Sequence, residues 1–333
     1  MITRSIMVQT LCVPCNCHCR YCLLSWDNYP VGADYERSKA YARRFYNYIK
    51  ENRPEIQFDF AFGYCMDHPN LFQELDFLNE IGSVQGQFLQ LDGMKLREKV
   101  GIDDLMTGLK AHGIKHINFT FYGMQAYHDR FAGRKGDFDY LLKLSDSAVR
   151  HGVETSAGIP LTAENAEQSE ELIGVLEDNR IKKVSLFVPH EEGRGIHLAP
   201  VRFTMEDFQK LGSKGKEKLN RKVFRTEAEW VQEKNLPLEE NRMLLISLTP
   251  DNIGKFEEMG FEAAIQYVEE LDESYYSALP TFAQLCELYG DPKGNRCYGK
   301  RDLFRHYQRQ YIQEHNLDLY DVTDERFCGS RRY

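Results

Sequence analysis

Between residues 5 and 188 the chain repeats one pattern: a short apolar run, then a segment with helical spacing. SIMVQTL (5–11) has strand composition, and so do QFDFAFGYC (57–65) and residues 87–91, 115–122, 153–161 and 183–188. Between them, residues 35–51 place Tyr41, Phe45, Tyr48 and Ile49 on one helical face and stop before Pro54. Residues 70–81 stack Leu71, Leu75 and Leu78 in a stripe. Helical segments over 102–112 and 137–151 close with Gly113 and Gly152, and a further helix spans 164–178. Six β/α units in this length predict an α/β fold, a partial (β/α)6 parallel barrel over residues 1–205. Residues 206–333 read as a mainly helical C-terminal extension. KLGSKGKEKLNRK (210–222) suits a linker or exposed helix, LLISLTP (244–250) another strand, and 257–276 and 301–314 helices.

In parallel α/β folds ligands sit at the carboxyl ends of the strands. The chain places chemically capable residues there: Gly63, Tyr64, Cys65, Asp67 and His68 after the second strand, and Asp92-Gly93 after the third. Thr120, Tyr122 and Gly123 follow the fourth, Thr162 and Asn165 the fifth, and Pro189 to Gly195 the sixth. Each has an ordinary structural reading beside it. In that reading Asp67 caps a loop, Thr120 and Tyr122 pack within the strand, and Arg130 and Arg134 form surface ion pairs; in the functional one Thr120 and Tyr122 touch the cofactor and the arginines grip a carboxylate. Glu191 and Glu192 argue against an anion at the glycines of 193–195.

The loop after the first strand is the densest chemistry in the chain. CVPCNCHCRYC (12–22) carries Cys12, Cys15, Cys17, Cys19 and Cys22, five of nine cysteines. An odd, clustered set is unlike a disulfide framework and indicates reduced thiols, a cytoplasmic location and metal binding. Paired CxxC knuckles for zinc are usually separated by roughly 15–20 residues, which this loop does not allow. Cys15, Cys19 and Cys22 can instead take three corners of a cubane iron–sulfur cluster and leave one iron open. Cys12 and Cys17 then remain as small packing residues. No run of about 18 apolar residues indicates a membrane span. A net charge of −9 without a long basic run argues against a nucleic-acid partner.

The Cys-x3-Cys-x2-Cys spacing, with the aromatic Tyr21 before the last cysteine, resembles the radical S-adenosylmethionine superfamily. FTFYGMQAYHDRFAGRKGDFDYLL (119–142) is similar to the fourth-strand segment of its SPASM/twitch-type members, through Gly123, His128, Asp129, Arg130, Gly136 and Phe138. LQLDGMKL (89–96) and VPHEEGRG (188–195) resemble their third- and sixth-strand exits, so the resemblance covers roughly residues 5–205. It implies a 4Fe–4S cluster on Cys15, Cys19 and Cys22 with S-adenosylmethionine chelated at the open iron. It also implies reductive cleavage to a 5′-deoxyadenosyl radical, hydrogen-atom abstraction from a substrate, and flavodoxin or ferredoxin as electron donor. Cofactor contacts then fall on Gly63, Tyr64, Cys65, Asp67, Thr120, Tyr122, Arg130, Thr162, Asn165 and Pro189. The family's Gly-Gly-Glu-Pro second-strand ending is replaced by Gly63-Tyr64-Cys65-Met66-Asp67-His68-Pro69, which moves amine recognition to backbone carbonyls near 63–65 or to Asp67.

SPASM and twitch enzymes hold auxiliary clusters in a C-terminal extension. Here Cys286, Cys297 and Cys328 are the cysteines left to ligate one, without the CxxC pairs of a full SPASM domain. The alternative is three ordinary thiols. Cys328, with Arg331 and Arg332 nearby, is also a candidate hydrogen-atom donor. The resemblance favours a peptide or protein side chain as substrate. A small metabolite is the runner-up, and a zinc-bearing scaffold or interaction protein is the reading from another class.

Overall fold

The computed structural model of the 333-residue chain describes residues 5–10, 15–22, 32–61, 67–235, 243–319 and 321–323. Cys12, Gly63, Tyr64, Cys65 and Cys328 lie outside the described residues. The alternation is present in order: β1 (Ser5–Gln9), α1 (Tyr35–Asn52), β2 (Gln57–Ala61), α2 (Leu71–Glu80), β3 (Phe88–Gln90), α3 (Lys99–Ala111), β4 (His116–Thr120). It continues with α4 (Gln125–Ala132), α5 (Asp137–Arg150), β5 (Glu154–Pro160), α6 (Ser169–Asp178) and β6 (Lys183–Phe187). All pairings among these strands are parallel.

Local chemistry starts and stops the helices where the sequence places them. The Asp34 side chain accepts the Arg37 N–H at 2.9 Å to cap α1, whose buried face holds Tyr41, Ala42, Phe45 and Ile49. One helix, α4, is not expected from the sequence. Its eight residues carry Tyr127, His128 and Phe131 inward and end at Gly133, whose φ of +66° is the left-handed conformation that favours glycine. The two carboxylate oxygens of Asp129 then accept the Gly136 and Phe138 N–H groups, at 2.6 and 3.0 Å, and cap α5.

The larger difference lies past residue 205. That part contains α7 (Met205–Lys210), α8 (Ser213–Lys218), β7 (Phe224–Thr226), α9 (Glu227–Gln232) and β8 (Met243–Ser247). It ends with α10 (Ile253–Glu258), α11 (Phe261–Ser277), α12 (Phe282–Tyr289), β9 (Cys297–Gly299) and α13 (Lys300–Glu314). The helix expected over 257–276 is thus divided, with Gly260 as the N-cap of α11. β8 is not an element of a separate extension. It pairs parallel with β1, Ile6 opposite Leu244 and Val8 opposite Ile246. The sheets are therefore β2-β1-β8 and β3-β4-β5-β6, the neighbour order of a parallel barrel left open on both sides of the first group. The division at residue 205 does not follow this sheet. β1 is flanked on both sides, and Ile6, Met7 and Val8 are all buried, as in a strand covered on both faces.

The apolar side of β3–β5 (Leu89, Ile117, Phe119, Ala157, Ile159) packs in the main core. The opposite side is polar and linked across strands. His116 Nε2 meets Ser156 Oγ at 2.7 Å, Ser156 Oγ donates to Asn118 Oδ1 at 2.6 Å, and Asn118 Nδ2 donates to Gln90 Oε1 at 2.6 Å. β7 and β9 form a two-stranded antiparallel sheet, and a second core gathers Trp230, Phe282, Leu285, Tyr298, Leu303, Phe304 and Tyr307. Among the described residues no helix is long and apolar enough to cross a membrane.

Candidate functional site

The cysteine loop, residues 15–22, lies over the carboxyl ends of the strands and is pinned by their exits. After β3, the Gly93 carbonyl accepts the Asn16 N–H at 2.7 Å. At the end of α4, the Ala132 and Phe131 carbonyls accept the His18 and Arg20 N–H groups at 2.7 and 3.0 Å. After β6, the Arg194 N–H donates to the Cys22 carbonyl at 3.0 Å. Tyr21 fills an aromatic niche, its ring 5.5 Å from Tyr122, 6.0 Å from Phe131 and 6.5 Å from Phe187. Asp67 braces the same edge. Its Oδ2 accepts from Asn16 Nδ2 (3.2 Å) and the Lys95 N–H (2.6 Å), and its Oδ1 pairs with Arg97 (3.1 Å).

Of the four described cysteines of the loop, Cys15, Cys19 and Cys22 are partly exposed and Cys17 is buried. The Cys17 N–H donates to Cys15 Sγ at 3.4 Å, and the Tyr122 hydroxyl donates to Cys19 Sγ at 3.0 Å. Contact with the Cys17 thiol, then burial, pushes Cys15 far above the ordinary thiol range. Crowded thiols resist accumulating negative charge unless a cation takes it up. Among the described residues no three His, Cys, Asp or Glu converge as ligands of one ion. A single tetrahedral zinc needs its sulfurs within roughly 3.8 Å of one another. The donor set here is sulfur alone and partly exposed, with glycine at position 93 leaving room for Cys15 Sγ. These residues fit an iron–sulfur group held at its corners.

A buried chain of polar groups sits behind the loop. The Tyr122 N–H donates to His128 Nδ1 at 3.1 Å, which leaves the proton on Nε2 to face Asp137 Oδ2, also at 3.1 Å. Arg134 closes on Asp137 Oδ1 and donates to the Met94 carbonyl, and the Cys17 thiol lies 3.8 Å from Asp137 Oδ2. Burial alone would raise Asp137, but His128 and Arg134 hold it below the usual carboxylate range. Beside it, Thr120 donates its N–H to Asp92 Oδ1 (3.2 Å) and its hydroxyl to Oδ2 (3.0 Å). Burial pushes Asp92 up to about 6 against these bonds and one from Gln90.

The other expected cofactor contacts are differently placed. Asn165 and Thr162 are buried, and their polar atoms serve the fold. Asn165 Nδ2 donates to the Tyr122 and Pro160 carbonyls (2.6 and 2.7 Å), and its Oδ1 accepts the Thr162 N–H at 2.8 Å. The Pro189 carbonyl accepts from Arg202 at 3.1 Å. Arg130 is exposed and lies over the Tyr127 ring, 5.2 Å from its centroid, while Arg134 is committed to Asp137. Glu191 and Glu192 are buried and face cations from the C-terminal region. Arg202, stacked 3.7 Å from the Tyr298 ring centroid, pairs with Asp302, and Arg305 and Arg309 each reach Glu192 at 3.3 Å. Cys286 and Cys297 fall in separate apolar clusters, and burial pushes each thiol up to about 11. Cys328, the third expected ligand of an auxiliary cluster, lies outside the described residues.

Asp137, Asp302 and Arg202 are site-supporting residues that the sequence does not single out. Asp137 had a signal, an acidic residue directly after a glycine at a helix start. Arg202 and Asp302 had none, since their partners are 100 residues apart.

No family model matches the chain, and no curated protein matches it. Solved structures do. Streptococcus suis SuiB bound to precursor peptide SuiA aligns at 15% identity and a TM-score of 0.47, covering 65% of this chain and 46% of that one. Native anSMEcpe with bound AdoMet aligns at 16% identity and a TM-score of 0.44, covering 64% and 60%. Coproporphyrinogen III oxidase (HemN) from Escherichia coli, described as a radical SAM enzyme, aligns at 12% identity and a TM-score of 0.44, covering 92% and 89%. The chain spans less than half the length of the SuiB it matches. At that distance its own residues must carry the functional assignment.

Proposed function

We propose that the chain is a radical S-adenosylmethionine enzyme, with Cys15, Cys19 and Cys22 holding a 4Fe–4S cluster. The observation that carries this reading is the position of the cysteine loop: over the carboxyl ends of parallel strands and hydrogen-bonded to the exits of β3 and β6 and to the end of α4. When bound, the cluster supplies the electron that cleaves S-adenosylmethionine to a 5′-deoxyadenosyl radical. The chain's part is to hold, orient and shield. Gly93 leaves space for Cys15, and Tyr21, Tyr122, Phe131 and Phe187 form an apolar wall beside Cys19 that keeps water from that side. Asp92, Thr120 and the polar side of β3–β5 line the same carboxyl end and suit a polar ligand there. Asp67, spent on the loop edge, is a brace, and the other expected amine contacts, the carbonyls near residues 63–65, lie outside the described residues.

The resemblance of 119–142 to SPASM/twitch enzymes favours a peptide or protein side chain as substrate and flavodoxin or ferredoxin as electron donor. The test needs neither. Protein purified anaerobically is assayed for iron and sulfide. It is then reduced with dithionite in the presence of S-adenosylmethionine, and 5′-deoxyadenosine is measured. About four irons and four sulfides per chain, with nucleoside formation abolished by Cys19→Ala, is the expected result. Colourless protein with stoichiometric zinc and no nucleoside would sink the assignment in favour of a zinc scaffold.

A further inference from the structure

We propose that Tyr122 sets the reduction potential of the cluster by donating a hydrogen bond to the Cys19 thiolate. The inference rests on the assignment of Cys19 as a cluster ligand. Tyr122 lies just past β4, and its hydroxyl is 3.0 Å from Cys19 Sγ. Every other part of the residue is fixed. The ring stacks on Phe131 with centroids 4.7 Å apart and meets Tyr21 edge-on at 5.5 Å. The backbone N–H is held by His128 Nδ1 at 3.1 Å, and the carbonyl accepts from Asn165 Nδ2 at 2.6 Å. His128 is itself fixed by Asp137. The hydroxyl therefore cannot follow the sulfur by moving the ring, and it stays at one place beside Cys19.

One-electron reduction adds a negative charge that iron–sulfur clusters share with their sulfurs. A donor aimed at a ligand sulfur favours the reduced state more than the oxidised one, because hydrogen bonds to charged acceptors strengthen with charge. The site is walled by aromatic rings, so solvent screens the bond weakly. Removing the hydroxyl while keeping the ring should lower the potential and make the cluster harder to reduce.

The experiment is an EPR-monitored redox titration of wild type and Tyr122→Phe, each first assayed for iron and sulfide. The expected result is full cluster content in both. At a fixed poise, the reduced-to-oxidised ratio in Tyr122→Phe should be roughly tenfold lower, about 59 mV for one electron. Site-specific 3-fluorotyrosine at position 122 strengthens the donor and should shift the ratio the other way. It also carries the test if the phenylalanine variant does not fold. A full cluster with an unmoved potential in both variants overturns the role of Tyr122 and leaves the enzyme assignment standing. Loss of iron from a folded Tyr122→Phe also overturns it, since the residue would then be structural. Wild-type protein without a 4Fe–4S signal sinks the enzyme assignment itself.

Discussion

Cys15 Sγ occupies the space in which a side chain on residue 93 would begin. Gly93 has a φ of +68°, and a Cβ there would fall inside the van der Waals shell of the sulfur. The thiol is the end of a movable side chain, so Gly93→Ala should fold, at a backbone cost of about 1–2 kcal/mol. What it should lose is the ligand position. Iron per chain after anaerobic reconstitution is expected to drop several-fold, with circular dichroism unchanged. Retained iron would show that Cys15 is not a ligand.

Cys17 sits among the proposed ligands and touches Cys15 and Cys19, but its thiol is buried and also lies against Asp137. Cys17→Ser should therefore keep its iron and cost about 1 kcal/mol in urea unfolding. Serine at Cys15, Cys19 or Cys22 should each remove most of the iron. The reverse pattern would reassign the cluster.

Glu74 gives a pH signature away from the loop. Burial pushes its carboxyl from an ordinary 4.5 up to about 8, although Lys39 stands 3.2 Å from one oxygen. The other oxygen is buried without a hydrogen-bond partner. The folded state therefore binds the proton that the unfolded state has released between these values. The stability it contributes is complete below about 4.5 and lost as the pH rises through about 8. With the opposing lysine discounted, the loss is on the order of 2 kcal/mol. Glu74→Gln should match wild type in urea midpoint at pH ~5 and exceed it at pH ~8.5. Parallel curves for the two proteins would refute the shift.

The Arg202–Asp302 pair ties the β6 exit to α13, with both residues buried. Arg202→Ala leaves Asp302 and Glu191 without their shared cation and should cost about 3–5 kcal/mol. Arg202→Lys keeps the charge but loses the planar stack on Tyr298 and one of its contacts, so an intermediate loss is expected. Chemical denaturation separates the three proteins.

The paired substitution Cys286→Ala/Cys297→Ala addresses the C-terminal thiols. Two buried thiols in separate cores should leave iron and sulfide per chain unchanged and reduce stability by about 1–3 kcal/mol. Loss of iron in the pair would restore an auxiliary cluster.

The barrel strands and most of their helices were legible in the sequence because their signals are local: apolar period, caps and breakers within a few residues. α4 was not, since its eight residues are overlain by a polar, aromatic run with no clear apolar stripe. Nor were the contacts that make the site. Tyr122 to Cys19 spans 103 residues, Cys17 to Asp137 spans 120, and Glu191 to Asp302 spans 111. Nothing in residue type specifies such partners. Asn165 shows the limit from the other side. Its chemistry and position suit a ligand, but its amide is consumed by the carbonyls of Tyr122 and Pro160.

The pairing of β8 with β1 has a consequence for the order of assembly during synthesis. Gln9 Nε2 bonds Ser247 Oγ across 238 residues of chain. The strand that leads into the cysteine loop is thus synthesised well before its second neighbour, β8. Contacts this distant in sequence form slowly. During translation the thiols are available before the scaffold that aims them is complete. A metallocentre inserted into the nascent chain would meet ligands without a wall, so insertion after release is the order this topology favours.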